Sequence, residues 1–174
     1  VISDISAPSL AKAERLLKDY TAAGRVKAVC CAGLEKVPEC DLVLIAGMGG
    51  EEICSILKNA YIPRSFVFQP MKNAKKLREY LLLNGACISV DEPFESGGKF
   101  YFVIKGGAGG RFLSYTQAEL QFGKNLGGET TKKYIQSELK KKRSYLERGL
   151  SDMERRRLEQ EIRFSEGVLN GEIK

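Results

Sequence analysis

Histidine and tryptophan are both absent from this sequence of 174 residues. Without an imidazole group, the sequence cannot form a Ser-His-Asp triad, a histidine metal site or a histidine acid–base pair. It also contains no C-x-x-C pair, which excludes a zinc ribbon and a thioredoxin-type redox site. No apolar run approaches the roughly 20 residues that a membrane-spanning helix needs. We therefore expect a globular protein with no membrane segment and no metal site.

The composition has an excess of positive charge. Hydrophobic residues make up 43% of the chain and charged residues 29%, which is typical of globular proteins. Lysine and arginine number 28 against 22 aspartate and glutamate residues, which gives a net charge of +6. An excess of this size is compatible with a nucleic-acid partner, but many proteins without such a partner are also mildly basic.

The cysteines do not form a disulfide pattern. Their number is odd, two of them are adjacent, and several lie in apolar runs, which indicates reduced and partly buried thiols in a cytosolic protein. No basic region followed by an apolar stretch opens the chain, so the sequence predicts no signal peptide and a cytoplasmic location. The five residues are Cys30, Cys31, Cys40, Cys54 and Cys87.

Strand and helix patterns alternate four times along the first part of the chain, before a final strand hairpin. Residues 41–46 (DLVLIA) form a continuous apolar run, which is typical of a parallel strand buried on both faces. The alternation predicts an α/β fold in which helices cover a parallel sheet, with one antiparallel strand at its edge. We expect this domain to span residues 1–110 and to end in the glycine-rich segment 106–110, interpreted as a linker or loose loop.

The second part, residues 111–174, is predicted to be helical. Thr116 with Glu119, and Ser151 with Glu154, have the spacing of capping boxes at helix starts. Apolar residues at helical spacing fill residues 129–148 and the segment after Ser151. We expect an antiparallel helical hairpin, which is most simply a short coiled coil.

Three predicted strand ends are candidate ligand positions, because open α/β sheets bind ligands beyond the carboxyl ends of their strands. Asp4 could accept bonds from a ribose or could simply interact with the dipole of the next helix. The glycines of residues 46–50 (AGMGG) either admit a ligand close to the backbone or form a tight turn. Gln69 followed by Pro70 could read a base edge or cap a helix.

Several segments closely resemble the bacterial TrmK-like tRNA (adenine-N1)-methyltransferases. The resemblance is carried by residues 41–50 (DLVLIAGMGG), 66–81 (FVFQPMKNAKKLREYL) and 95–104 (ESGGKFYFVI), and by Phe122-Gly123 before the helical hairpin. It extends over nearly the whole chain, and the AGMGG segment is its most specific part. It implies a Rossmann-like sheet, S-adenosylmethionine (SAM) as the cofactor, and methylation of N1 of the adenine at position twenty-two of tRNA.

The resemblance also implies roles for particular residues. Asp4 corresponds to the acidic residue that holds the SAM ribose, and Ile5 would lie beside the adenine. Ala32 departs from the family, which normally has Asp or Asn at this position to bond the adenine amino group. The implied cofactor-binding residues are Asp4, Ile5, Cys31, Ala32, Gly33, Leu34, Ala46 and Gly47.

The remaining candidates concern the RNA. The implied base pocket consists of Gly47, Met48, Gly49, Gly50, Gln69 and Pro70. No residue is assigned an acid–base role, because N1 of a neutral adenine has its own lone pair and needs no deprotonation before it attacks the methyl group. The basic residues of the hairpin either contact tRNA phosphates or form a solvated helix face. These candidates are Lys132, Lys133, Lys140, Lys141, Lys142 and Arg143.

One element of the family is missing from the sequence. TrmK-like enzymes begin with a strand and an acidic, glycine-containing SAM loop, and nothing of this kind precedes Val1. We therefore expect a strand–helix unit of roughly 30 residues before Val1 in the natural product. The alternative is a non-catalytic, methyltransferase-like module that binds nucleic acid or protein. Ala32 and the missing loop favour this alternative, whereas the intact AGMGG and Gln69-Pro70 segments favour the enzyme.

Overall fold

Residues 1–109 and 114–173, which the computed structural model describes, form six strands and seven helices. The strands are β1 (Ile2–Asp4), β2 (Ala28–Cys30), β3 (Val43–Met48), β4 (Phe66–Pro70), β5 (Ala86–Ser96) and β6 (Lys99–Ala108). The helices are α1 (Ala7–Leu16), α2 (Lys18–Ala22), α3 (Gly50–Lys58), α4 (Ala74–Leu83), α5 (Gln117–Phe122), α6 (Glu129–Leu146) and α7 (Asp152–Leu169). The α/β order of the first part and the helical character of the second are as predicted.

The strands form two separate sheets. Strands β1 and β2 pair in parallel, and the other four strands have the order β3-β4-β6-β5. Strand β3 is parallel to β4, while β6 is antiparallel to both of its neighbours. The antiparallel strand is thus internal, and the prediction that it lies at the edge of the sheet is wrong.

Glycines explain how β6 fits between its neighbours. A Cβ atom on Gly106 would lie 2.1 Å from the carbonyl oxygen of Cys87, and one on Gly107 would lie 2.0 Å from that of Arg64. These glycines belong to β6, so the interpretation of this stretch as a linker is wrong for them. The predicted boundary between residues 110 and 111 lies outside the described residues and stays a prediction.

Strand β3 is not buried on both faces. Val43 is 6% exposed and packs in the core, but Leu44 is 68% exposed. Leu44 is exposed because β3 is the outer strand of its sheet, and its side chain lines a cleft towards β1. Within the described residues, β3 is therefore buried on one face only, in contrast to the expectation.

The core of the sheet region lies between the four-stranded sheet and helices α3 and α4. Its centre contains the stacked rings of Phe66 and Phe68, whose centroids are 4.5 Å apart, together with Ile53, Leu77 and Ile104. All five side chains are fully buried. Burial of side chains of this size stabilises a fold by about 1.5–3 kcal/mol each.

Helices α5, α6 and α7 form the second part. Both predicted capping boxes are present, since the side chains of Thr116 and Ser151 accept bonds from the amides of Glu119 and Glu154, and each glutamate returns the bond. Helices α6 and α7 pack as an antiparallel hairpin around Ile135, Leu139, Ile162 and neighbouring apolar residues. Within the described ranges, no helix has both the length and the apolarity to cross a bilayer.

A buried ion pair joins the sheet region to the helices. The guanidinium of Arg78 in α4 donates to both carboxylate oxygens of Asp91 in β5, over 2.7 and 2.8 Å. Its remaining nitrogen donates to the backbone oxygen of Leu120 in α5 at 2.9 Å, and the group lies 4.4 Å from the ring centroid of Phe102 in β6. Arg78 is 0% exposed and Asp91 is 2% exposed.

We expect Arg78→Met to lower the free energy of unfolding by about 3–5 kcal/mol, because it leaves the Asp91 carboxylate buried without its partner. Chemical denaturation followed by circular dichroism measures this change. The double variant Arg78→Met/Asp91→Leu should recover part of the loss, since no buried charge remains. Lys133→Ala, which breaks only the exposed pair with Glu129, should cost about 0.5 kcal/mol or less. An Arg78→Met variant as stable as the Lys133→Ala variant would contradict the assigned role of the buried pair.

Candidate functional site

A cleft of about 480 Å³ lies between the end of the β1–β2 pair and the β3–α3 unit. Six of the eight predicted cofactor residues line it: Asp4, Ile5, Ala32, Gly33, Leu34 and Ala46. These residues come from three strand ends that are far apart in the sequence. The cleft has the volume usual for a small-molecule site and a mixture of apolar walls and a few polar groups.

The carboxylate of Asp4 lies where β1 passes into α1. Its Oδ1 accepts a hydrogen bond from the backbone amide of Ser6 at 2.7 Å, and Ser6 is the N-cap of α1. Asp4 also lines the cleft. The two interpretations of Asp4 from the sequence are thus compatible, because the bond at the helix start involves Oδ1 of a carboxylate that has two oxygens.

The loop after β2 is held against β1 by two hydrogen bonds. The amide of Cys31 donates to the carbonyl of Asp4 at 3.1 Å, and the hydroxyl of Ser3 donates to the carbonyl of Gly33 at 2.9 Å. Gly33 has a φ of 56°, and a Cβ atom there would lie 2.6 Å from a methyl carbon of Ile56. Cys31 itself is buried beneath the loop rather than among the residues that line the cleft.

The ends of β3 and β4, together with the turns that follow them, are bonded to each other. The amide of Gly47 donates to the side-chain oxygen of Gln69 at 2.9 Å, the amide of Met71 donates to the carbonyl of Met48 at 2.8 Å, and that of Gly50 donates to the carbonyl of Lys72 at 2.8 Å. Gln69 therefore fixes the conformation of the glycine segment, a role that neither alternative from the sequence included.

The glycines of residues 46–50 are required for different physical reasons. A Cβ atom on Gly50 would lie 2.3 Å from the carbonyl oxygen of Asn73, and one on Gly49 would meet the side chains of Glu52 and Lys72. At these two positions, glycine is therefore needed for close contact with other parts of the protein rather than with a ligand. Gly47 has a φ of 78°, is exposed, and has open space where its Cβ would be.

The candidate base-pocket residues divide between two sides of β4. Met48 lines the cleft together with Ala46. Pro70 instead lines a second depression of about 310 Å³ between the start of α4 and β6. Gly47 and Gln69 lie between the two, where their hydrogen bond joins the strand ends.

The structure does not gather the basic candidates of the hairpin into one unpaired patch. Four of the six pair with carboxylates: Lys133 with Glu129, Lys141 with Glu138, Lys142 with Glu161 and Arg143 with Glu166. These pairs reduce the positive potential of the hairpin surface and favour the interpretation as a solvated helix face. A role of these six residues in RNA binding stays a prediction.

Sequence reasoning missed three residues of α3 that line the cleft, Glu52, Ser55 and Ile56. Their i, i+3 and i, i+4 spacing places them on one helix face, which was the available signal. The ammonium of Lys72 lies 3.8 Å from the carboxylate of Glu52. Among residues 1–109 and 114–173, no group of three acidic or cysteine side chains is placed to hold a metal ion.

Comparisons with known proteins agree with this geometry. The profile of a family described as "Methyltransferase domain" matches residues 1–104. A protein of Mycoplasma pneumoniae, assigned as a tRNA methyltransferase, is 36% identical over 110 residues, which cover 60% of this chain and 50% of the relative. The chain thus spans about half the length of this curated relative.

Solved structures have the same fold. TrmK of M. capricolum, in complex with S-adenosyl-homocysteine, superimposes with a TM-score of 0.85 at 17% identity, over 97% of this chain and 79% of that chain. A Streptococcus pneumoniae protein in complex with SAM, assigned as a tRNA (m1A22) methyltransferase, has a TM-score of 0.76 at 25% identity, over 90% of this chain and 76% of that chain.

We expect Gly50→Ala to destabilise the protein by about 1–3 kcal/mol, because its methyl group would collide with the backbone of Asn73 rather than with a movable side chain. Thermal denaturation measures the effect. Gly149→Ala is the matched control, since a Cβ atom at Gly149 meets nothing within 4 Å and should leave the melting temperature almost unchanged. Equal melting temperatures for the two variants would refute the proposed close contact.

Proposed function

Because this chain belongs to the methyltransferase-domain family, we propose that it is a SAM-dependent enzyme that methylates N1 of the adenine at position twenty-two of tRNA. The observation that carries the proposal is the cleft in which Asp4, Ala32–Leu34 and Ala46 meet. The assignments of the relatives support the substrate and the position. A tRNA substrate would place the enzyme in the cytoplasm. We further propose that residues 1–110 form the catalytic domain and residues 111–174 a helical appendage.

The residues of the cleft fit the proposed cofactor. The Asp4 carboxylate can accept hydrogen bonds from the ribose hydroxyls, and the apolar side chains of Ile5 and Leu34 can contact the adenine faces. Ala32 supplies no polar side chain, so the adenine edge would depend on backbone groups of the loop that Gly33 shapes. When bound, the cofactor supplies an electrophilic methyl group.

The protein's own contribution is positioning rather than proton transfer. N1 of adenine lies on the Watson–Crick edge, so the base must be unpaired and turned out of its stack before it can react. The Gly47–Gln69 bond holds the glycine segment rigid beside the cleft, where the base would lie. A fixed geometry of this kind converts binding energy into the orientation of the reacting atoms.

The alternative, a non-catalytic binding module, receives less support. Ala32 favours this alternative, because it lacks the side-chain bond to the adenine amino group that the resemblance leads us to expect. Against it, the residues that would hold the cofactor and those that would hold the base lie on adjacent positions of one strand end, Ala46 to Met48. A module that only binds RNA has no need for this arrangement.

The activity is tested with methyl-labelled SAM and an unmodified tRNA transcript. We expect label in the RNA and a reverse-transcription stop at position twenty-two, because a methyl group on N1 blocks base pairing. A transcript with guanine at that position is the control and should remain unlabelled. Absence of label in the adenine transcript, with a protein that binds SAM, would refute the proposed reaction.

Asp4→Asn tests the cofactor site. Asparagine retains an oxygen for the Ser6 amide but loses the charge and one acceptor, so we expect SAM affinity to fall by about tenfold or more with little change in melting temperature. Isothermal titration calorimetry measures the affinity. Ser6→Ala is the complementary control, because it removes the helix cap and should lower stability by about 1 kcal/mol while SAM affinity is retained. An Asp4→Asn protein with wild-type affinity would show that Asp4 does not hold the cofactor.

A further inference from the structure

A groove runs from the end of β4 to the helical hairpin. It consists of two adjoining depressions, one of about 310 Å³ and one of about 610 Å³, which share Lys75 and Gln121 as lining residues. The first begins at Pro70 and Met71, and the second reaches α7 at Arg157. The groove thus starts beside the end of β4, where Gln69 lies, next to the candidate base pocket, and ends on the hairpin.

Cationic side chains outnumber carboxylates among the residues that line this groove. Five cationic side chains line it against one carboxylate, that of Glu161. The first depression has three lysines and no acidic residue among its lining residues. The cations are Lys72, Lys75, Lys76, Lys142 and Arg157. Each has a carboxylate neighbour, but Glu51, Glu52 and Glu79, which pair with the three lysines, do not line the groove.

Aromatic rings form part of the same surface. Phe100 and Phe102 line the first depression together with Tyr134, whose ring centroid lies 5.8 Å from that of Phe100 and 5.1 Å from that of Phe102. The hydroxyl of Tyr134 is neutral at physiological pH even at the ordinary tyrosine pKa of 10.0, which burial raises further to about 12, and it can donate a hydrogen bond. The half-buried Phe100 ring presents an apolar face beside the lysines.

Glutamine side chains complete the lining. Gln117 and Gln121 in α5 and Gln160 in α7 each carry an amide with two donors and an acceptor oxygen. Cations that follow a chain of phosphates, aromatic rings on which bases stack, and amides that bond base edges are the combination that single-stranded nucleic acid requires. The mixture of charge and amide groups does not match an apolar peptide or a lipid surface.

We propose that this groove binds the single-stranded RNA next to the target adenine and leads it from the base pocket to the hairpin. The inference rests on the proposed function, which supplies the RNA, and adds the path of the strand. In this arrangement Lys75 and Arg157 contact phosphates on opposite walls, and Phe100 stacks on a base. The hairpin contributes through the residues that line the groove, Lys142, Arg157 and Gln160, rather than through Lys133 and Lys141, which do not line it.

The double variant Lys75→Ala/Arg157→Ala tests the two walls. Binding of unmodified tRNA, measured by filter binding between 50 and 200 mM salt, should weaken by about tenfold or more. The slope of log K against log salt should fall by about 1.5, as expected for two lost phosphate contacts. Lys12→Ala/Arg15→Ala on α1 is the matched control, because it removes the same charges from an exposed helix away from the groove. SAM affinity should be unchanged in both.

Phe100→Ala tests stacking and should weaken tRNA binding by about 5- to 100-fold, whereas Phe100→Tyr retains the ring and should bind like the wild type.

Wild-type tRNA affinity and salt slope in the Lys75→Ala/Arg157→Ala protein would overturn the proposal that the groove binds RNA. If the wild-type protein methylates tRNA and these variants remain fully active, the proposed RNA path along the groove is wrong but the proposed function stands. If the wild-type protein neither binds nor methylates tRNA, the proposed function fails with it.

Discussion

The ion pair between Arg78 and Asp91 is the interaction on which the two parts of the molecule depend. Removing two charges from water costs several kcal/mol per ion, and this cost is offset only when every donor and acceptor is bonded. Here two bonds join the charged groups, a third reaches the backbone of Leu120, and the ring of Phe102 covers the guanidinium. The pair thereby links α4, β5, β6 and α5 at one point. If α5 moved away, the guanidinium would lose its bond to the Leu120 carbonyl and leave a buried donor unpaired, so this bond couples the helical region to the sheet region.

Close approach of backbone segments is a second constraint, and it explains glycines in three places. Gly106 and Gly107 let β6 insert between two strands, and Gly50 lets α3 begin against the turn before α4. Gly123, with a φ of 88°, brings the end of α5 within contact of the backbone at Asp91. The last contact lies beside the buried ion pair, which gives a physical reason for the Phe122-Gly123 element. Glycine therefore determines how tightly the elements pack, in addition to permitting turns.

Local signals in the sequence predicted the local features, and non-local features were not predictable from them. The capping boxes at Thr116 and Ser151 depend on residues three positions apart, so pattern alone identified them. The internal position of β6 depends on Gly106 meeting Cys87, and the exposure of Leu44 depends on the position of β3 at a sheet edge. Six of the predicted cofactor residues meet in one cleft because strand ends converge, which is a general rule of α/β sheets. The role of Gln69 was missed because its partner, Gly47, is distant in the sequence.

The two candidate surfaces differ in chemistry, and each suits a different proposed ligand: the cleft suits the cofactor and the groove suits the RNA. The cleft has apolar walls with the carboxylate of Asp4, whereas the groove has cations, amides and rings. They meet at the end of β4, where Gln69 bonds towards the cleft and Pro70 lines the groove. Phe102 and Gln121 line the groove, and the guanidinium of Arg78 lies 4.4 Å from the ring centroid of Phe102 and within 3.5 Å of the backbone oxygen of Gln121. The buried pair that joins the two parts of the fold therefore also contacts two residues of the groove that would position the RNA. If the groove binds RNA as proposed, replacing Arg78 would affect the alignment of the RNA as well as the stability of the fold.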